Sequence, residues 1–208
     1  MNEIEKKYIE LVAIERISTY KQIADKENIT EDEAKKEWTR KGGIDGYIAK
    51  KLGIDKEELK VLEKKSIIDN KKKEINRILT LFIEERRDAF DRKFSKFYNW
   101  YMIEQENKCR YCGITQKNLT KIFIENKKLP LISDEKRKQY EDGKISIKRL
   151  YGNLEIERKD SEKGYTKENM MLSCPLCNNA KSNLIDEECW RKLFVPRMKK
   201  YYAKLLKD

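Results

Sequence analysis

The sequence predicts an α+β fold, with an all-helical domain over residues 1–93 followed by a mixed domain over residues 94–208. Three observations lead to this prediction. Apolar residues recur at helical spacing through the first half of the chain. A segment that begins near residue 144 alternates apolar and polar residues, as strands do. Four of the five cysteines form two Cys-x-x-Cys pairs in the second half. The first half is therefore expected to be helical, and the second half is expected to contain strands and a cysteine site.

The N-terminal domain is predicted as a series of short helices that lead into longer ones. A first helix begins near Ile4 and ends near Ser18, where two hydroxyl residues offer a stop and a new cap. The segments Thr30–Glu33 (TEDE) and Asp55–Glu58 (DKEE) have the form of capping boxes, which mark helix starts. The apolar pattern then runs from Lys56 to Tyr101 without a break by glycine or proline, which predicts one or two long helices.

Part of this domain resembles a helix-turn-helix. The segment Gly46–Leu62 (GYIAKKLGIDKEELKVL) has Gly53 where the turn would lie. A recognition helix offers its first turn to the DNA backbone, but this one would present Asp55, Glu57 and Glu58, which repel phosphate. The pattern therefore favours helical packing, or contact with a partner protein or a second copy of the chain, over DNA reading.

The charge of the chain is strongly basic and unevenly distributed. The sequence has 48 Lys and Arg against 37 Asp and Glu, a net charge of +11, and residues 101–208 carry +8 of it. The last stretch, Arg191–Asp208, has seven basic residues and one acid. A surface of this kind suits a phosphate backbone, although a solvated helix in a Lys-rich chain would look the same.

Two absences narrow the function classes. The chain has no histidine, which excludes His-containing catalytic triads and His-ligated metals. The most apolar run, Ile78–Ile83, is far shorter than the ~20 residues that a membrane helix needs, so no membrane association is expected. The first ten residues (MNEIEKKYIE) do not resemble a secretory leader. The sequence thus predicts a cytoplasmic protein.

The cysteine pairs predict one structural zinc ion per chain. Cys109 and Cys112 form the first pair, and Cys174 and Cys177 form the second. Four thiolates at this spacing can close a tetrahedron around zinc, and a reducing cytoplasm favours thiolates over disulfides. The fifth cysteine, Cys189, is predicted to be a small buried thiol beside a tryptophan.

The residues between the cysteine pairs predict strands and a helix. The segment Lys144–Asp160 (KISIKRLYGNLEIERKD) alternates around Gly152 and Asn153, which indicates a hairpin of two paired strands. After it, KGYTKEN predicts a loop, MMLS a short strand, and PLCNNAKSN a helix that starts on the second cysteine pair.

This combination resembles the HNH nuclease family, also known as the ββα-metal or His-Me finger family. The segments that carry the resemblance are CRYCG, LEIERKDSEKGYTKEN and CPLCNNAK, within roughly residues 94–194. Nothing comparable identifies the first ~90 residues. The resemblance implies a zinc-stapled ββα-metal domain and a nuclease that hydrolyses phosphodiester bonds, most simply in DNA. It also implies a second, catalytic cation, Mg²⁺ or Mn²⁺.

The resemblance assigns roles to individual residues. Glu157, usually Asp in the family, and Asn178 correspond to the ligands of the catalytic cation, and Asn169 to the residue that orients the general base. Lys181, one helical turn beyond Asn178, is placed to hold a phosphate. Two further lysines near the motif, Lys159 and Lys163, are expected to contact nucleic acid.

The sequence departs from the family pattern at Arg158, which stands where the family has its base, a histidine. A guanidinium is a poor base near neutral pH, so Arg158 is expected to bind and stabilise the phosphate instead. Asp160 is the first candidate to accept the proton of the attacking water, and Tyr165 the second. Metal-bound hydroxide is a third route.

Three functions remain open from the sequence. The first is a metal-dependent DNA endonuclease of a restriction or phage-defence type. The second is a catalytically inactive zinc module that binds nucleic acid, with the lost histidine as its mark. The third is an interaction or regulatory protein whose helical half binds a partner, with the zinc-binding domain as a scaffold. The acid and amide residues of the motif could also be no more than surface ion pairs and caps.

Overall fold

The described part of the protein is mostly helical and contains one small sheet. The computed structural model describes residues 1–126, 133–144, 151–182 and 185–207. The sheet has two antiparallel strands. The combination of many helices and one small sheet agrees with the predicted α+β class. No helix in these ranges combines the length and the apolar character that crossing a membrane requires.

The chain divides into two compact units. The first consists of Met1–Ile83 with Lys93–Tyr98, and the second contains the described residues of Glu84–Arg92 and Asn99–Asp208. The predicted boundary at residue 93 is therefore only approximate. The second unit includes Glu84–Arg92, before the boundary, and the first unit includes residues up to Tyr98, after it.

The first unit is a set of helices around an apolar core. Its helices are α1 (Glu3–Ile9, continued by a π-helical turn, Glu10–Ile14), α2 (Tyr20–Glu27), α3 (Glu31–Thr39), α4 (Gly43–Leu52), α5 (Lys56–Glu63) and α6 (Ser66–Leu79). Both predicted capping boxes are present at the starts of α3 and α5. The rings of Trp38 and Tyr47 meet edge to face with centroids 5.1 Å apart. Gly53 separates α4 from α5 with a φ of +71°, the left-handed region that glycine adopts at little cost.

The prediction of one or two long helices over Lys56–Tyr101 was wrong. The longest helix in that range is α6, and the chain then forms α7 (Glu84–Arg87), a 3₁₀ turn (Asp88–Phe90) and α8 (Phe94–Asn99). Asp91 and Arg92 have φ values of 49° and 55°. Side-chain periodicity does not reveal such left-handed residues, because they change the direction of the backbone without changing the apolar pattern.

The second unit holds the sheet. Its remaining helices are α9 (Gln116–Thr120), α10 (Asp134–Glu141), α11 (Pro175–Lys181), α12 (Glu187–Cys189) and α13 (Val195–Lys207), and π-helical turns span Trp100–Glu104, Lys121–Glu125 and Trp190–Phe194. Strand β1 (Glu155–Arg158) pairs antiparallel with β2 (Met170–Ser173), with Glu157 opposite Met171. The order strand, loop, strand, helix is therefore as predicted.

The predicted hairpin around Gly152 and Asn153 is only partly described. Most of its first arm, residues 145–150, lies outside the described residues. Its second arm forms β1, whose partner among the described residues is β2. Two glutamine side chains fix these strands. Gln116 accepts from the backbone N–H of Leu154 at 2.8 Å, and Gln105 accepts from that of Leu172 at 3.2 Å.

Candidate functional site

The four predicted cysteines form one buried cluster. The Sγ atoms of Cys109, Cys112, Cys174 and Cys177 all lie within 4.8 Å of one another. The Sγ atoms of Cys112 and Cys174 are 3.8 Å apart, and all four thiols are unlinked. Zinc–sulfur bonds of about 2.3 Å in a tetrahedron place the sulfurs about 3.8 Å apart. The cluster therefore fits zinc, as the sequence predicted, and Cys189 lies outside it.

Two tight turns present these thiols. In the first, Gly113 donates its N–H to the carbonyl of Cys109 at 2.9 Å and has a φ of +80°, which disfavours any other residue. In the second, Cys174 caps α11, its Sγ accepting from the N–H of Cys177 at 3.4 Å, and Pro175 occupies the first helical turn. Arg110 joins the first turn to β2 through a 2.8 Å bond to the carbonyl of Leu172.

The C-terminal helix also contacts the cluster. The hydroxyl of Tyr202, on α13, donates to the Sγ of Cys174 at 3.1 Å. Tyr202 is buried, and burial raises its pKa far above the usual range, so the hydroxyl stays a donor. Burial also raises the pKa of the Cys174 thiol. A bound dication would reverse that effect, because a coordinating thiol is deprotonated.

Tyr202→Phe is expected to weaken zinc retention while leaving the fold intact. The variant removes one hydrogen bond to a ligand sulfur, and such outer contacts typically change metal affinity by about 10–100-fold. The measurement is the rate of zinc transfer to a coloured chelator, and we expect a rise of about 10-fold. Tyr201→Phe, at the neighbouring position, is the control. Equal transfer rates for Tyr202→Phe and the parent would show that the hydroxyl does not support the site.

Glu157 is buried and paired. Its side chain is 7% exposed, and its Oε1 accepts from the Tyr111 hydroxyl at 3.0 Å. The Nζ of Lys181, also 7% exposed, lies 3.3 Å from the same oxygen. Burial raises the pKa of Glu157, an effect that Tyr111, Ser173 and Lys181 only partly oppose. Oε2 is buried and has no hydrogen-bond partner within the described ranges. The site thus holds one carboxylate oxygen with no partner.

Asn178 lies on α11, but its side chain contacts Glu155 and not Glu157. Its Nδ2 donates to the Oε2 of Glu155 at 2.9 Å. Glu155 and Glu157 are two residues apart on β1 and therefore share a face of the strand. The structure brings Asn178 to the acidic face of β1, through Glu155 rather than Glu157.

Asn169 organises the loop between the strands. Its Nδ2 donates to the carbonyls of Asp160 and Gly164, both at 2.9 Å, and its Oδ1 accepts from the N–H of Asp160 at 3.0 Å. Asp160 also pairs with Lys163 at 3.0 Å, and this contact lowers the pKa of Asp160. Asn169 is therefore the residue that fixes the position of Asp160.

A cleft of about 460 Å³ opens beside this loop. Four of the predicted site residues line it: Arg158, Lys159, Asp160 and Lys181. Tyr165, Arg158 and Arg86 form a stack in which both guanidinium groups lie near the tyrosine ring. The sequence did not point to three residues of this region, Arg86, Tyr111 and Glu155. Their contacts, which are Tyr165, Glu157 and Asn178, lie 79, 46 and 23 positions away in the sequence.

Comparison with family models, with curated proteins and with solved structures gave no match for this chain.

Proposed function

We propose that this protein is a metal-dependent endonuclease of the HNH type that hydrolyses phosphodiester bonds in DNA. The observation that carries the proposal is the buried Glu157 carboxylate, with one unpartnered oxygen, next to a cleft lined by Arg158, Asp160 and Lys181. Lys181 connects Glu157 to the cleft, because its side chain lines the cleft and its ammonium pairs with the Glu157 carboxylate. The cleft lining combines cations with acids, among them Asp160 and Glu162. A phosphodiester and a hard cation require these two kinds of group.

In this proposal Glu157 holds the catalytic divalent cation, Mg²⁺ or Mn²⁺, and Asn178 supplies a second oxygen. The bound cation would neutralise charge on the scissile phosphate and the leaving oxygen. Arg158 binds the phosphate with its planar donors. Asn169 holds the loop so that Asp160 faces the cleft, where its carboxylate accepts the proton of the attacking water. The lowered pKa of Asp160 keeps it ionised but makes it a weak base.

The test is nicking of supercoiled plasmid by the zinc-loaded protein with Mg²⁺ or Mn²⁺. We expect conversion to the open-circular form that requires added Mg²⁺ or Mn²⁺ and that zinc alone does not support. A protein that retains its zinc and binds DNA but never nicks it with either cation would contradict the nuclease proposal.

One observation favours a second candidate, a catalytically inactive zinc module that binds nucleic acid. The ammonium of Lys181 already neutralises Glu157, and Arg158 replaces the family's base. If this candidate is correct, the parent binds DNA without nicking it, and Arg158→His is the single change expected to create nicking. A parent that does not bind DNA, or that nicks it with Mg²⁺ or Mn²⁺, would contradict this candidate.

The remaining expectations stay proposals. We propose a cytoplasmic setting, and a role in restriction or phage defence that depends on the nuclease activity. For the N-terminal helical unit we propose contact with a partner protein or with a second copy of the chain.

A further inference from the structure

The C-terminal helix α13 carries positive charge and no negative charge. Its sequence over Val195–Lys207 (VPRMKKYYAKLLK) has five basic residues and no Asp or Glu. Four of them follow one another at steps of three or four positions, which places them on one face of the helix. These four residues, the basic stripe, are Arg197, Lys200, Lys204 and Lys207, and all are exposed.

The opposite face of α13 is packed inside the second unit. Val195 and Tyr202 are 7% and 3% exposed, and helical geometry places Tyr202 about 180° around the axis from the basic stripe. The Tyr202 hydroxyl donates to the Sγ of Cys174 at 3.1 Å, and its ring meets that of Phe123 edge to face at 6.5 Å. The cysteine cluster therefore fixes which face of α13 points outward, and the basic stripe faces solvent.

The charge of the basic stripe is not neutralised by the described part of the protein. None of its four residues forms an ion pair with an acid of that part. By contrast, Lys6, Lys60 and Lys73, on α1, α5 and α6, each pair with an acid three or four positions away. Neighbours within the stripe are also three or four positions apart, a separation at which like charges destabilise a helix. The stripe thus carries a repulsion that a bound polyanion relieves.

The spacing of the basic stripe fits a phosphate backbone. Arg197 and Lys207 are ten positions apart, a rise of about 15 Å at about 1.5 Å per residue. One strand of duplex DNA carries one phosphate per about 3.4 Å of helix axis, so about four phosphates lie along that length. A row of four cations therefore matches a row of phosphates, whereas a single small anion contacts only neighbouring members of the stripe.

An anionic lipid surface is the other polyanion that a basic helix can bind. A helix that lies on a membrane buries its apolar face in the lipid. In α13, Val195 and Tyr202 on that face are already buried within the protein. Nucleic acid needs only the charged face of the helix, so it is the polyanion that fits.

We propose that the basic stripe of α13 binds the phosphate backbone of DNA. The proposal rests on the proposed function for the kind of polyanion. It adds a binding surface on residues outside the cleft lining and outside the segments that resemble the nuclease family. The stripe supplies affinity without sequence preference, because phosphate contacts carry no direct information about the bases.

The test is DNA binding as a function of salt, measured by fluorescence anisotropy with a labelled duplex and no added divalent cation. The stripe variant replaces the four cations by glutamine, which removes the charge and keeps a high helix propensity: Arg197→Gln, Lys200→Gln, Lys204→Gln and Lys207→Gln. Zinc content and melting temperature are compared with those of the parent.

The matched control removes the same amount of charge from the first unit. It replaces four exposed lysines that form no ion pair among the described residues: Lys7→Gln, Lys21→Gln, Lys35→Gln and Lys36→Gln. Both variants lose four positive charges, so only the place of the loss differs. A second control, with Lys200→Arg, Lys204→Arg and Lys207→Arg, keeps every charge of the stripe.

We expect the stripe variant to bind at least about 30-fold more weakly at about 100 mM salt. The slope of log Kd against log salt should fall by about 3.6, which is four phosphate contacts at about 0.9 each. The lysine control should keep the parent slope and change Kd by less than about 3-fold, because charges beyond a Debye length of about 10 Å are screened. The arginine control should also keep the parent slope.

The outcomes that contradict this proposal differ from those that contradict the nuclease. If the stripe variant matches the lysine control in Kd and slope, the stripe is only a solvated surface, and the proposed nuclease stands. If the parent binds neither duplex nor single-stranded DNA, both fail. A parent that binds DNA through the stripe but never nicks it supports the stripe and contradicts the nuclease.

Two further measurements keep the test decisive. If the stripe variant melts early, the double variants Arg197→Gln, Lys204→Gln and Lys200→Gln, Lys207→Gln replace it. Each should reduce the slope by about 1.8, and parent slopes in both would overturn the proposal. Sedimentation with vesicles that contain phosphatidylserine tests the lipid alternative. Vesicle binding that the stripe variant loses while its DNA binding stays at the parent level would assign the stripe to a lipid surface instead.

Discussion

Cys174→Ser is expected to lose the zinc ion and to unfold the second unit. Cys174 is buried, lies 3.8 Å from Cys112, and caps the helix that carries Cys177. Zinc binding by sites of this type is worth about 10–16 kcal/mol, as large as the ~5–15 kcal/mol that stabilises a typical domain. The loss of one ligand therefore removes a contribution that the unit cannot replace. Elemental analysis and thermal melting by circular dichroism measure the two effects.

The control for this prediction is Cys189→Ser, which changes the one cysteine outside the cluster. It should keep one zinc per chain and a parent-like melting temperature. Chelator treatment of the parent should reproduce the behaviour of Cys174→Ser. A Cys174→Ser protein with parent-like melting and zinc content would show that the four buried thiols are packing residues and not a metal site.

The four-cysteine cluster could be predicted from the sequence because each half of it is specified by residues close together in the chain. Each Cys-x-x-Cys pair specifies its own turn, and the sequence has only two such pairs to be joined. The same holds for the capping boxes at Thr30 and Asp55, where side chain and backbone lie within one helical turn. The short strand β2 and the start of α11 follow from the second cysteine pair for the same reason.

Contacts between distant segments could not be predicted. The partner of Glu157 is Lys181, 24 positions later, in a chain with 48 basic residues from which sequence alone cannot choose. The hydroxyl of Tyr111 reaches Glu157 only because the zinc turn and β1 meet in the fold. The left-handed residues Asp91 and Arg92 break a helical pattern whose apolar spacing shows no interruption.

The contacts of Glu157 determine how its proposed catalytic role should be tested. Glu157→Ala would leave the buried ammonium of Lys181 without its carboxylate, and breaking a buried pair in this way typically costs about 3–5 kcal/mol. A loss of cleavage in that variant would therefore not separate catalysis from folding. Glu157→Gln retains the shape of the side chain and its bond with Tyr111 while removing the negative charge that a cation requires.

Glu157→Gln is expected to reduce plasmid nicking by at least about 100-fold with either Mg²⁺ or Mn²⁺, because a neutral amide replaces the charged ligand of a hard cation. Zinc content, and DNA binding without an added divalent cation, should match the parent. The double variant Glu157→Gln, Lys181→Met should restore any stability that the single variant loses. Glu168→Gln changes an exposed acid on the same loop that is outside the cleft lining; this control should nick at the parent rate. Nicking by Glu157→Gln at the parent rate would place the cation elsewhere. Among the acids of the described residues 155–168, only Glu157 combines burial with an unpartnered oxygen, so a loss confined to Glu157→Gln is expected. A parallel loss in Glu168→Gln would point to the overall charge of the loop instead.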